Sequence, residues 1–256
     1  MNILAIETSC DDTSVSIIKH VDGQIIDCAN IISSQVELHR TWGGVVPNLA
    51  GREHAENILP VLDEALHSAQ MTPSNIDLVA VTSGPGLMPA LVVGVSAAKA
   101  FSYAHDLPLI GIHHIEGHIY SNWINVNEDG QKPQFPVISL IVSGGHTQIM
   151  LMREHCTYEL IGETVDDAVG EAFDKTARLL GMPYPGGPEI SRSAYDYDAT
   201  SNQFRIELPR PMLHSGDYNF SFSGIKTAVL YKVREYQKQQ LQKNAPDQDS
   251  FTKEHN

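Results

Sequence analysis

Hydrophobic and polar positions alternate in short, regular runs from the first residues onward. Residues 3–8 (Ile-Leu-Ala-Ile-Glu-Thr) form an apolar run that predicts a buried strand. A polar turn follows at Ser9-Cys10-Asp11-Asp12, and Thr13 to Ile18 alternates as a returning strand would. Ile25 to Ile32 predicts a third strand. Arg52 to Ala69 carries Ile58, Val61, Leu62 and Leu66 at helical spacing. Ile76 to Thr82 predicts a strand closed by Ser83-Gly84-Pro85-Gly86. Ala90 to Ala104 predicts a small-residue helix suited to close packing on a sheet, and Leu107 to His113 a further strand. The order is three strands, helix, strand, helix, strand.

Near residue 130 the plan restarts after the breaker-rich joint Gly130-Gln131-Lys132-Pro133. Val137 to Val142 predicts a strand, Ser143-Gly144-Gly145-His146 a turn, Thr147 to Met152 a returning strand and Tyr158 to Gly162 a third. Ala168 to Leu180 predicts a helix. Loops, a helix near 224–243 and a polar tail, Asn244 to Asn256, complete the chain. Two strand–turn–strand units therefore open two successive halves, and such a duplication would set two polar turns facing each other across a cleft. The second half lacks the closing strand–helix pairs of the first and reads as unfinished.

Composition narrows the class. A chain of 256 residues, 42% hydrophobic and 19% charged, suits one large or two medium globular domains. No apolar run reaches the roughly 18–20 residues of a membrane span. The N-terminus lacks a basic signal-peptide start, and three scattered cysteines (Cys10, Cys28, Cys156) suit a reducing cytoplasm. The net charge of −14 argues against a broad nucleic-acid footprint. Contact with RNA would need a local patch or helper subunits. The one basic-rich stretch, Lys226 to Lys243, reads first as a solvated helix face.

Candidate chemistry gathers in a few places. His114 and His118, in His113-His114-Ile115-Glu116-Gly117-His118, are four apart, which on a helix puts both imidazoles on one face, suitable for one metal ion. The spacing alone leaves a second reading open, solvated histidines at a helix start. The order is not His-Glu-x-x-His, so zincin protease geometry is absent. A third ligand, a carboxylate by expectation, has no position that spacing reveals. Ser143-Gly144-Gly145-His146-Thr147 could bring backbone N–H groups to an anion, or be an ordinary hairpin turn. Thr8 to Thr13, with Asp11 and Asp12, could hold phosphate, Mg²⁺ or a metal-bound water, or be plain turn chemistry. Tyr184-Pro185-Gly186-Gly187-Pro188 reads as a rigid loop. Asp174, early in a helix, could accept hydrogen bonds from ribose-type hydroxyls, or serve only helix-start electrostatics.

These segments occur together in a recognisable order. Ile6 to Thr13, Gly43 to Pro47, Ser83 to Leu87, His113 to His118, Val142 to Gln148, Gly170 to Thr176, Tyr184 to Pro188 and Phe220 to Gly224 closely resemble the bacterial tRNA N6-adenosine threonylcarbamoyltransferase family, once labelled O-sialoglycoprotein endopeptidase. The resemblance runs from residue 3 to about residue 240. It implies an α/β fold of the actin/hexokinase/Hsp70-like (ASKHA) kind with two duplicated lobes, the first over residues 1–130 and the second, incomplete, over 131–256. It implies transfer of the threonylcarbamoyl group from threonylcarbamoyl adenylate to N6 of the adenosine beside the anticodon, in tRNAs reading codons that start with A. By motif match, His114 and His118 would hold one divalent metal ion, iron or zinc. Ile141, Val142, Ser143, Gly144 and Gly145 would lie along the substrate, Asp174 and Gly187 would contact its nucleotide part, and Asp11 would be the catalytic group at the reacting centre. The implied partners are tRNA, a degenerate paralogous subunit pairing through the N-terminal lobe, and a small ATPase subunit, with no membrane involved.

Three departures accompany the resemblance. The family continues beyond this end with a Gly-Gly-Val-Ser-Ala-Asn-like substrate segment and a late Asp that is the third metal ligand, so this chain is expected to bind metal weakly and turn over poorly. Ile141 stands where archaeal and eukaryotic relatives place a metal-side Tyr, and Asn48 where Glu is usual. Two alternatives to the transferase stay open, a metalloendopeptidase and a non-catalytic dimerisation scaffold.

Overall fold

In the computed structural model, which describes residues 1–124, 132–197 and 206–243, the alternation becomes an antiparallel meander. Strands β1 (Asn2–Glu7), β2 (Asp12–Val21) and β3 (Gln24–Ser34) pair in sequence. Their apolar positions share one face: Leu4, Ile6, Val15 and Ile17 are all at most 2% exposed. The reversal between β2 and β3 uses Asp22 and Gly23, both at positive φ (50° and 78°), as a tight primed hairpin turn requires.

β1 pairs in parallel with β4 (Leu78–Gly84), and β4 in parallel with β5 (Leu109–His113), giving the order β3-β2-β1-β4-β5. The connections carry helices α1 (Val36–Arg40), α2 (Pro47–Ser68) and α3 (Met88–Ala104). Ile58, Val61, Ala65 and Leu66 of α2 and Ala98 of α3 join Leu4, Ile6, Val79 and Val81 in one core. Because β1, β4 and β5 run parallel, their C-terminal ends lie along one sheet edge, and α4 (His114–Ile124) leaves directly from it.

The second meander is β6 (Val137–Val142), β7 (Thr147–Glu154) and β8 (Thr157–Glu163), followed by α5 (Val169–Leu179), α6 (Gly186–Tyr195) and α7 (Ser223–Lys243). Two units result: Met1–Ile141 with Met150–Glu159, and Val142–Ile149 with Leu160–Asn256. Gly130 and Gln131 of the expected joint, and the polar tail, lie outside the described residues. The first unit includes parts of β6, β7 and β8 because Ile141 and Met152 pack with Ile115 and Ile119 of α4 in a second core cluster, flanked by Tyr120, Trp123 and Phe135.

The elements differ from expectation in three places. α2 begins at Pro47 rather than Arg52, with proline in the first helical turn where its missing N–H costs nothing. The five-residue α1 is too short to show periodicity; the His39 ring meets Gln35 Oε1 at 3.1 Å. The Tyr184–Pro188 loop turns into α6 at Gly186, because Asp174 of α5 accepts a hydrogen bond from the Gly186 N–H at 2.7 Å and so caps a glycine-rich first turn.

Candidate functional site

In the first unit, the edge where β1, β4 and β5 end collects polar side chains. Glu7 closes β1. Its Oε1 accepts from the Ser9 backbone N–H, and its Oε2 accepts from Thr82 Oγ1 at 2.5 Å. The same Oε2 lies 3.2 Å from His114 Nδ1, and Ser9 Oγ is also 3.2 Å from that nitrogen. Burial pushes the Glu7 carboxyl up, but hydrogen bonds from His114, Ser9 and Thr82 together outweigh it and hold it down at about 2. One helical turn along α4, His118 Nε2 lies 3.1 Å from His114 Nε2, the rings meeting edge to face. Burial, then the neighbouring His114, pushes the His118 imidazole below its ordinary value, against an opposing pull from Glu7. A cavity of about 300 Å³ opens beside the pair, lined by Glu7, Thr82, His114, Gly117 and His118 over the small residues Ala5 and Ala80.

The pair fits a metal ion in its donor chemistry. Two Nε2 atoms 3.1 Å apart share one bridging hydrogen, and their separation is one that two nitrogens each about 2.1 Å from a common cation span. Among the described residues no group of three or more His, Cys, Asp or Glu side chains could hold a metal ion, so the pair supplies two donors.

The turn carrying Asp11 is held from several sides. Thr8 and Ser9 are buried. Thr8 Oγ1 donates to the Ala90 carbonyl at 3.0 Å, and the Ser9 carbonyl accepts from Leu87 N–H at 2.8 Å. Gly86 passes so close that a Cβ there would stand 2.6 Å from the Ser9 carbonyl oxygen. Fully buried His54 pins the other side. Its Nε2 lies 3.1 Å from the Cys10 carbonyl, which only accepts, so Nε2 donates and Nδ1 accepts from Thr13 Oγ1 at 2.7 Å. The Asp11 carbonyl accepts from Gln35 N–H, and its half-buried side chain sits on this braced turn.

The second unit holds a different set. Ser143 N–H donates to the His146 carbonyl at 2.9 Å, closing the β6–β7 turn, and Gly170 N–H donates to the Ser143 carbonyl at 3.2 Å. Gly144 and Gly145 are exposed, with open space where a Cβ would stand and without left-handed φ. Val142 is 58% exposed, whereas the Ile141 side chain, in the first unit, is buried beside Ile115 and leaves only its backbone to offer. Asp174 and Gly187 are brought together at the start of α6. Burial raises the Asp174 carboxyl, against the N–H groups of Gly186 and Gly187 and the charge of Arg178. Asp166 caps α7: its Oδ1 accepts from Phe222 N–H at 2.8 Å, and its Oδ2 from Ser221 Oγ at 2.5 Å and Ser223 Oγ at 2.7 Å.

Glu7, Thr82 and Asp166 carried no sequence-based role. For Glu7 the available signal was a carboxylate ending an otherwise apolar buried strand. Phe220-Ser221-Phe222-Ser223-Gly224 stood out as a motif without its acceptor, 55 residues away in sequence.

A mixed sheet with an imidazole pair and a braced hydroxyl-and-carboxylate turn along one edge makes the first unit an α/β lobe with a polar site at its strand ends. The TsaD family, tRNA N6-adenosine threonylcarbamoyltransferase, matches residues 28–254, and the chain belongs to that family. It is 53% identical over 231 residues to the tRNA N6-adenosine threonylcarbamoyltransferase of Bacillus cereus, covering 90% of this chain and 64% of the relative. It is 52% identical over 230 residues to that of Bacillus subtilis, covering 90% and 63%. The chain thus spans a little under two thirds of the length of these curated relatives. Their names support the transferase reading and not the endopeptidase alternative. Among solved structures, YeaZ from Pseudomonas aeruginosa shows 18% identity and a TM-score of 0.39 over 62% of this chain and 63% of that one, a likeness too distant to carry weight. No helix among the described residues is long and apolar enough to cross a membrane.

Proposed function

We propose that this chain carries the metal-holding and substrate-cradling part of a tRNA threonylcarbamoyltransferase of the cytoplasm. It would pass the threonylcarbamoyl group of threonylcarbamoyl adenylate to N6 of the adenosine beside the anticodon, in tRNAs reading codons that start with A. The observation that carries this reading is the His114–His118 pair, Nε2 atoms 3.1 Å apart, in a chain of this family.

The reaction is an acyl transfer: a bond forms from N6 to the carbamoyl carbon, the carbon–oxygen bond to AMP breaks, and N6 gives up a proton. One divalent ion, iron or zinc, held by His114 and His118, would supply orientation and polarisation of the threonylcarbamoyl group. Asp11, on a turn braced by His54 and Gln35, is assigned the proton. Ile141 and Val142 by their backbone, with Ser143, Gly144 and Gly145, would lie along the adenylate. Glycine there is required by neither φ nor packing, which supports a ligand's close approach as its reason. Asp174 and Gly187, joined at the start of α6, would hold the nucleotide part. A net charge of −14 leaves tRNA contact to local patches and to partners, a degenerate paralogous subunit on the N-terminal lobe (1–130) and a small ATPase subunit.

Transfer of labelled threonine to a tRNA reading an A-starting codon, with partner proteins, bicarbonate and ATP, tests the activity. His114→Ala with His118→Ala should abolish bound metal and reduce transfer to background. Unchanged metal content in the double variant refutes the site.

A further inference from the structure

Metal-binding imidazoles need one nitrogen bare, and something must keep the hydrogen on the other. For His114 a carboxylate of the sheet is within reach. It comes from β1, 107 residues earlier in the chain: Glu7 Oε2, 3.2 Å from His114 Nδ1. We infer that Glu7 is a positioning residue that holds His114 as its Nδ1–H tautomer, so that Nε2 is presented bare toward the cavity and toward His118. The proposal rests on the metal reading above for its purpose, but not for its geometry.

An ionised carboxylate only accepts hydrogen bonds, so a contact between Oε2 and Nδ1 puts the hydrogen on Nδ1. The carboxylate is itself fixed, because Ser9 N–H holds Oε1 and Thr82 Oγ1 holds Oε2, from the turn after β1 and from the end of β4. Its direction is therefore set by the sheet and not by a free rotor. Ser9 Oγ is equally near Nδ1 at 3.2 Å, but a hydroxyl can donate as well as accept and fixes no tautomer. With Nδ1 committed, His114 Nε2 accepts from His118 Nε2 across 3.1 Å, and a cation held between the two would need the His118 hydrogen moved to its Nδ1. Glu7 does not touch the cavity merely as a charge, since both its oxygens are engaged.

Two readouts decide this. Long-range ¹H–¹⁵N NMR on the metal-free chain at neutral pH should show His114 with a protonated Nδ1 and a bare Nε2. Glu7→Ala should lose that preference, Glu7→Gln should keep part of it because its amide oxygen still accepts, and Ser9→Ala should leave it in place. Titration with Co²⁺ or Zn²⁺ alone should give an affinity roughly 10–100-fold weaker in Glu7→Ala, with Glu7→Gln between it and the parent. Equal metal affinity and an unchanged His114 tautomer in Glu7→Ala overturn the proposal, as does an Nε2–H His114 in the parent. If Glu7→Ala does not fold, Glu7→Gln decides: an affinity and tautomer identical to the parent overturn the proposal, and intermediate values support it. Failure of the metal reading is separate, since there His114→Ala with His118→Ala leaves cation binding unchanged while the tautomer measurement still judges Glu7.

Discussion

The two strand–turn–strand openings of this chain follow one plan and end in opposite kinds of turn. After β1, Thr8 and Ser9 are buried, the Ser9 backbone is pressed by Gly86, and His54 ties Cys10 and Thr13 together inside the core. After β6, Gly144 and Gly145 stand exposed with open space above them. The first turn holds the Glu7 carboxylate and the Asp11 backbone in place. The second clears the backbone of side chains at two successive exposed residues. One topology thus supplies a fixed carboxylate in one place and an exposed glycine backbone in the other.

The sharpest way to break the contrast is to add one methyl group to each turn's neighbourhood. Gly86→Ala puts a Cβ 2.6 Å from the Ser9 carbonyl oxygen and 2.8 Å from Ser9 Cβ. Backbone must move, and a loss of about 1–3 kcal/mol in chemical denaturation is expected. In the second unit a polar counterpart lies at the α7 cap. Asp166→Ala removes the acceptor of two backbone N–H groups and two hydroxyls, for an expected loss of about 1 kcal/mol. Burial pushes the Asp166 carboxyl up, but hydrogen bonds from Ser221, Phe222 and Ser223 hold it at about 2, below its ordinary 3.8. The stabilisation is therefore complete above pH 3.8 and lost as pH falls through about 2. The difference between parent and variant should shrink over that window; a constant difference would mean that the carboxylate is not the cap.

Legibility in the sequence followed the same divide. Both meanders were readable because alternation is tied directly to burial, as Leu4, Ile6, Val15 and Ile17 show. The imidazole pair was readable because four residues on a helix is a local distance. Glu7 was not, because its meeting with His114 exists only once β1, β4 and β5 align their ends. α6 was hidden by its own composition: Gly-Gly-Pro reads as a break, and only Asp174 from α5 makes it a helix start. The division of β6 between the two units was equally hidden, since it depends on Ile141 packing against α4.

A smaller effect separates stability from function inside the first unit. Gly117 sits within α4 between the two histidines, lines the cavity, and has nothing within 4 Å of where a Cβ would stand. Glycine within a helix costs about 1 kcal/mol relative to alanine, and no packing here requires it. Gly117→Ala should raise the melting temperature while lowering threonylcarbamoyl transfer. A variant that is more stable and equally active would show that the space beside the imidazole pair is not used.

The smallest expected change in stability is also the most informative about the second turn. Gly144→Ala and Gly145→Ala place a methyl group in open space at φ values that any residue adopts, so each should alter unfolding free energy by no more than about 0.5 kcal/mol. Were these glycines merely hairpin residues, transfer activity would follow stability and stay unchanged. If the adenylate lies against their N–H groups, each methyl instead stands between backbone and ligand, and binding of a non-hydrolysable adenylate analogue should weaken at constant fold stability. Gly86→Ala cannot make that distinction, because there fold and site fail together. At the exposed turn the two can be measured apart.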